Sequence, residues 1–287
     1  MKITAYKYQA TGNDFIILDN REEAIELSVD QIKYLCDRRF GIGADGLMLL
    51  NKSDKYSFSM AFYNADGKEG TMCGNGGRSL VAFAAHKGIK KYIFDAVDGV
   101  HEAEILKYSP TKCIVKLSIS DVTNVKDYSP KSYMLNTGSP HLVIFVENVN
   151  DYDVREQGKL WRHHPHFPEG TNVNFVQGNW GRFNIPKFEE EKEQRITVRT
   201  YERGVEDETL SCGTGVTASS IAYHKLLTRN KFSYNNLDIK TPQKVKNIIE
   251  TRGGELTVEF TYTGEDNYTD IKLTGPATYV FSCIIDC

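Results

Sequence analysis

The chain repeats itself, and that repeat constrains its fold more than any other feature. Thr11-Gly12-Asn13-Asp14-Phe15-Ile16-Ile17 is echoed by Thr137-Gly138-Ser139-Pro140-His141-Leu142-Val143 at an offset of 126, and Gly43-Ala44-Asp45 by Gly170-Thr171-Asn172 at 127. Tyr63-Asn64 is echoed by Tyr201-Glu202 at 138, and Cys73-Gly74-Asn75-Gly76 by Cys212-Gly213-Thr214-Gly215 at 139. Four stations in one order, with an offset that only grows, point to two copies of one domain. The offset jumps where GRFNIPKFEEEKEQR occupies residues 181–195, which reads as a solvated surface insertion. The expected division is residues 1–120, with 275–287 returning to that domain, and residues 121–274.

A chain of 287 residues accommodates two such domains. With 40% apolar and 25% charged residues it has an ordinary globular composition, not that of a disordered chain. The 35 Lys and Arg against 38 Asp and Glu leave a net charge of −3, which argues against a nucleic-acid partner. No apolar run approaches the roughly 18 residues of a membrane helix, and the first residues carry no signal-peptide pattern. The six cysteines, at 36, 73, 113, 212, 283 and 287, form no CxxC pair and are too sparse for a disulfide framework. Only Cys283 and Cys287 are close enough in sequence for a local pair. The expectation is a cytoplasmic enzyme with reduced thiols and no membrane partner.

Runs rich in Val, Ile, Tyr, Phe and Thr predict strands at 3–8, 15–18, 46–50, 57–63, 92–97, 101–106 and 112–118 in the first half. In the second half they fall at 132–136, 141–146, 173–177, 195–201, 237–240, 246–250, 255–262, 269–273 and 278–284. Helical spacing appears only at 28–38, 75–87 and 214–227, the last two directly after the repeated cysteines. The fold class is α+β: two domains with large, mainly antiparallel sheets and one prominent helix each.

The matched Cys-Gly-X-Gly turns carry the chemistry. Glycines let backbone N–H groups approach a ligand, and a helix start bears partial positive charge and orphan donors. Such a site favours thiolate and can hold a carboxylate. A single cysteine at a glycine turn is ordinarily a small buried side chain. Two in the same frame, one per half, point instead to Cys73 and Cys212 as a working pair. Inverting a stereocentre needs an acid on one face and a base on the other, which such a pair supplies. Asn64 and Asp66 precede the first cysteine, and Glu202 and Arg203 the second; Arg203 suits a carboxylate. Asn13 and Asn172, at strand-edge stations, suit amide or ammonium groups. His163-His164-Pro165-His166 suggests a metal, but Pro165 breaks helical register and only Glu169 adjoins it; no metal site is assigned.

The motifs ATGNDF (10–15), GIGADG (41–46), FYNADG and CGNGGR (62–78), GSPH (138–141), FPEGTNVNF (167–175), YERG (201–204), CGTG (212–215) and GPATYVF (275–281) resemble the diaminopimelate epimerase family over nearly the whole chain. The resemblance implies two pseudo-symmetric domains, each an open barrel of strands around a central helix. It implies a cofactor-independent homodimer that interconverts LL- and meso-diaminopimelate for lysine and peptidoglycan precursor synthesis. Cys73 and Cys212 match the acid–base pair; Asn13, Asn64, Gly74, Asn75, Asn172, Glu202, Arg203, Gly213 and Thr214 match substrate-binding positions. His141 and Glu202 match residues that tune the thiols. On this reading Arg203, Asn13 and Asn172 serve the far end of the substrate. The chain departs from the pattern at Gly46, where several members have Gln, and at Ser139, where many have Asn. A proline racemase-like isomerase would share the paired cysteines but lacks a use for Asn13, Asn172 and YERG. A thiol redox or metal protein would need close cysteine pairing.

Overall fold

The computed structural model describes residues 2–178, 194–235 and 242–286. Contacts divide the chain into two units, Met1–Ser118 with Thr274–Cys287, and Ile119–Leu273. The first holds strands β1 (Lys2–Ala10), β2 (Asn13–Asn20), β3 (Gly46–Asn51), β4 (Phe58–Asn64), β5 (Ile93–Ala96), β6 (Gly99–Lys107) and β7 (Lys112–Ser118), with helices α1 (Val29–Cys36) and α2 (Gly74–His86). The second holds β8 (Lys126–Ser129), β9 (Ser132–Asn136), β10 (Pro140–Phe145), β11 (Asn172–Gln177), β12 (Gln194–Glu202), β13 (Asp207–Thr209), β14 (Gln243–Thr251) and β15 (Gly254–Gly264), with α3 (Val154–Arg162) and α4 (Gly213–Asn235). The last strand, β16 (Asn267–Asp286), gives its beginning to the second unit and its end to the first.

In the first unit β1 to β7 pair in sequence order, and the end of β16 pairs with both β7 and β1, so eight strands close into a barrel. Two neighbouring pairs, β2–β3 and β4–β5, are parallel. Parallel neighbours need a crossover, and α1 and α2 lie in those two crossovers. The second unit repeats this pattern. β10–β11 and β12–β14 are parallel, with α3 and α4 in the crossovers, while β9–β10, β11–β12 and β14–β15 are antiparallel. There the segment leading into β8 meets β16 through the isolated bridge Val122–Tyr268 and a bond from Ile119 N to Ile271 O at 2.9 Å.

Both cysteine-led helices begin as buried helices: α2 to Ala85, and α4 over most of its residues from Gly213 to Thr228. Every residue of α2 from Gly74 to Ala85 is buried, as expected of a helix inside a barrel rather than upon it. Its small residues set the approach distance: a Cβ on Gly77 would come within 2.9 Å of Leu117 in β7. In α4 the interior hydroxyls bond back to the preceding turn, Thr217 to Gly213 O at 3.0 Å and Ser219 to Gly215 O at 2.7 Å. They therefore need no partner from the surrounding strands.

Three elements escape the strand and helix patterns of the sequence. β8 and β13 are too short to show alternation. α3 is mostly polar and has Gly158 in mid-helix, yet Asp153 caps it by accepting from Glu156 N at 3.1 Å. Gly158 is there because the helix lies against β12: an added Cβ would meet Tyr201 Cβ at 2.3 Å. In an open helix Gly→Ala would stabilise by about 1 kcal/mol. Here Gly158→Ala is expected to destabilise by about 1–3 kcal/mol through overpacking, read as a lower denaturant midpoint with an unchanged slope. The strands expected at 269–273 and 278–284 are one strand, with Pro276 paired opposite Ile114. The strand expected at 237–240, most of the 181–195 insertion and Cys287 lie outside the described residues. Cys36, Cys73, Cys113, Cys212 and Cys283 are free thiols.

Candidate active site

Each repeated cysteine sits at the start of a buried helix, held by residues of its own unit. Cys73 is the N-cap of α2 in an extended conformation, its carbonyl accepting from Gly77 N at 2.7 Å. Its Sγ is half-buried and donates to Asn13 Oδ1 at 3.7 Å. The Asn13 amide is oriented from both ends: Nδ2 donates to Asp45 Oδ2 at 2.5 Å, and Oδ1 accepts from Asn75 Nδ2 at 3.4 Å. Asp45 in turn holds Arg38 at 2.7 Å. Arg38 and Lys7 both pair with Asp14; against the cost of burial, their hydrogen bonds hold that carboxyl down at about 2.

Behind Asn75 stands Arg78, fully buried. Its guanidinium donates to Asn75 Oδ1 at 2.8 Å, to Gly74 O at 3.1 Å and to Thr11 Oγ1 at 3.3 Å, while its Nε has no partner. Burial pushes this arginine down to about 10, and the charge of Cys73 acts against that shift.

Cys212 is buried at 7% exposure and precedes α4, whose first turn closes with Val216 N to Cys212 O at 2.9 Å. Gly215 leaves the room it needs: a Cβ there would fall 2.4 Å from Asn174 Oδ1 and 3.3 Å from the Cys212 sulfur. The sulfur ends a chain of side chains, Thr214 Oγ1 at 3.5 Å, then Ser139 Oγ at 3.3 Å, then His141 Nε2 at 3.0 Å, then Asn174 Nδ2 on His141 Nδ1 at 3.1 Å. Thr200 donates to Asn174 Oδ1 at 2.9 Å, which leaves Asn174 Nδ2 to donate to the imidazole. His141 Nδ1 therefore accepts and Nε2 carries the proton toward Ser139. Burial, with Arg203 adding to it, pushes His141 down to about 3, so the ring is neutral at physiological pH.

Asn172 donates from Nδ2 to Ser139 Oγ and Pro140 O, both at 3.1 Å, and accepts from Arg203 N at 2.9 Å. The Arg203 guanidinium lies 3.4 Å from Glu169 O. The turn bearing it is fixed by Glu206, which accepts from Gly204 N at 3.0 Å and from Arg162 Nε at 2.9 Å. A buried bidentate pair, Arg199 with Glu208 at 2.6 and 2.8 Å, ties β12 to β13 beneath the turn. Glu202 ends β12 and is half-buried; Asn64 ends β4 and is exposed.

The structure thus gathers Asn13, Asn75 and Cys73 in one unit, and Asn172, Arg203, His141, Thr214 and Cys212 in the other. Sequence reasoning passed over Asp45, Arg78 and Asn174. Asp45 stood in a repeat station and Arg78 in CGNGGR, so both were within reach. Asn174 stood in FPEGTNVNF, two residues after the assigned Asn172, so it too was within reach. The departure at Gly46 has a steric cause: a Cβ would fall 2.5 Å from the Phe62 ring and 2.7 Å from Tyr63 O. The histidine string packs with aromatics, His166 against Tyr128 OH at 2.8 Å, and His163 meets Glu206 at 3.3 Å. Among the described residues no cluster is arranged to hold a metal ion, and no helix is long and apolar enough to cross a membrane.

A family model described as Diaminopimelate epimerase matches residues 5–116 and 133–280. A diaminopimelate epimerase of Flavobacterium psychrophilum is 42% identical over 98% of this chain and 99% of its own. Among solved structures, a Bacillus anthracis phenazine biosynthesis protein of the PhzF family superposes with a TM-score of 0.72 at 16% identity over the full length of both chains. A hydroxyproline epimerase from Agrobacterium vitis superposes at 0.63 and 13% identity, over 99% of this chain and 92% of that one. At such identities the structural likenesses establish the shared fold.

Proposed function

Since the chain belongs to the diaminopimelate epimerase family and is an amino-acid epimerase, we propose that it interconverts LL- and meso-diaminopimelate without a cofactor, using Cys73 and Cys212 as its acid–base pair. The product would serve lysine and peptidoglycan precursor synthesis. The observation that carries the mechanism is the equivalence of the two Cys-Gly-X-Gly helix starts, each with its sulfur in contact with an oriented polar side chain.

One cysteine, as thiolate, takes the α-proton from one face of the carbon. The other, as thiol, delivers its proton to the opposite face. The pair finishes with protonation reversed and no other group consumed. The transient carbanion is stabilised through the α-carboxylate, held by backbone N–H groups at Gly74-Asn75 and Gly213-Thr214, where the helix starts favour negative charge. Asn64 and Glu202 read the ammonium. Asn13, expected from the sequence at the far end, is read here at the reacting end, a reading supported by its contact with the Cys73 sulfur. Asn172 and Arg203, joined through the Arg203 backbone, are left for the far end. His141, neutral, tunes Cys212 as a dipole acting through Ser139 and Thr214.

The test is LL-diaminopimelate in heavy water, with isomers separated and α-deuterium measured at early times. The expected result is meso product carrying solvent deuterium while remaining LL substrate stays protiated. Label entering the substrate as fast as the product would point to one base serving both faces. No change of isomer would end the assignment.

A further inference from the structure

The two thiols occupy equivalent turns but have unequal support. At the station equivalent to Arg78, 139 residues on, stands Thr217, whose hydroxyl is used up on Gly213 O at 3.0 Å. The second turn therefore has dipoles next to its sulfur, ending in a neutral imidazole, with the Arg203 cation beyond that ring. The first has a full positive charge five residues into its helix. That charge is buried completely, and among the described residues no carboxylate pairs with it. A buried cation without a counter-ion is costly unless an anion is part of the working state.

The acidic groups near the turn are already taken. Asp45 is held by Arg38, and Asp14 by Arg38 and Lys7. Asp98 accepts from the backbone at Met72 and pairs with His101 at 3.2 Å. Asp66 and Glu69, on the loop before the turn, are exposed to solvent, and Asp66 pairs with Lys68 at 3.6 Å, which leaves Cys73 among the described groups at the turn. Asn13 works in the other sense, because its carbonyl oxygen at 3.7 Å accepts from the protonated thiol. A long S–H contact to a neutral acceptor is weak, whereas a charge in a low-dielectric interior is not.

We infer that Arg78 is a positioning residue for the reaction: it is the buried counter-charge of the Cys73 thiolate, and it fixes the turn by holding Gly74 O and Asn75 Oδ1. The inference rests on the acid–base role proposed for Cys73. Its test reads ionisation directly rather than turnover, so the two fail separately.

The experiment is iodoacetamide alkylation of the full chain across pH, with Cys73 and Cys212 resolved by peptide mass spectrometry. Each thiol's rate gives its own titration midpoint, which separates ionisation from accessibility. In Arg78→Met the Cys73 midpoint is expected to rise by at least about one unit, a tenfold loss of thiolate below the midpoint, while that of Cys212 stays within half a unit. Arg78→Lys keeps the charge but not the fork, so its Cys73 midpoint should stay near wild type. A Cys73 midpoint that does not move in folded Arg78→Met overturns the inference, as does an equal rise at both thiols. Should Arg78→Met fail to fold, Arg78→Gln, which keeps a hydrogen-bonding side chain but no charge, decides in its place: a rise of about a unit at Cys73 supports the counter-charge, and an unmoved midpoint overturns it.

Discussion

Cys73→Ala and Cys212→Ala are each expected to fold and to lose epimerisation by at least about 10³-fold, the loss that follows removal of an essential proton-transfer group. Folding should survive because neither sulfur holds its helix in place. No side chain caps α2 at Cys73, and the start of α4 is tied down by Thr137 Oγ1 on Thr214 O at 2.9 Å. Losing one sulfur from a packed site costs about 1–2 kcal/mol, against the 5–15 kcal/mol of a typical domain. The other buried cysteines provide the control. Burial pushes the Cys36 thiol up to about 11 and raises that of Cys113 as well. Neither offers thiolate near neutral pH, so Cys36→Ala and Cys113→Ala should keep turnover within a few fold. The single-thiol variants carry a second signature. One remaining base can exchange the α-proton on its own face but cannot invert the centre, so slow deuterium uptake without change of isomer is expected. Near-wild-type epimerisation by either variant would sink the two-thiol mechanism.

What made this fold legible was duplication. The four stations lie at the same places in the pairing pattern: Phe15 and His141 open the equivalent parallel pairs, with partners Gly46 and Asn172. Asn64 and Glu202 end equivalent strands. Chemistry at a helix start demands glycine and a reactive side chain in fixed order, so the cysteine turns survive as readable strings. The parallel pairs were not legible, because strand composition does not record the direction of a neighbour. Nor was α3, whose contact face is made by a missing side chain at Gly158 rather than by an apolar stripe. The networks behind the cysteines join residues far apart in sequence, such as Thr11 with Arg78 and His141 with Asn174. Each looks unremarkable in its own segment, and the meaning lies in the meeting. Ser139 shows the same limit. As a departure from the family pattern it reads as a shortened contact, yet its hydroxyl meets His141, Thr214 and Asn172 together.

Arg203→Lys is expected to lower kcat/KM for diaminopimelate by about 10- to 100-fold while leaving kcat/KM for lysine nearly unchanged. Lysine is diaminopimelate without its far carboxylate, so it isolates what the guanidinium does. A fork of fixed donors matches a carboxylate in two bonds, which an ammonium cannot reproduce at equal charge; losing one such charged bond costs about 1.5–3 kcal/mol. The substitution is otherwise conservative. Arg203 holds Asn172 through its backbone N–H, not its side chain, so the turn stays anchored. A cation also remains beside His141, whose ionisation Arg203 helps suppress. In the wild-type enzyme, lysine and proline should be rejected by on the order of 10⁴-fold, because each leaves polar groups built for the far end unpaired. The discriminating quantity is the ratio of diaminopimelate to lysine turnover. It should shrink in Arg203→Lys by the same factor that diaminopimelate loses. A ratio that stays fixed because both substrates fall together would place Arg203 at the reacting end. Proline racemised as well as diaminopimelate is epimerised would refute the far-end site itself.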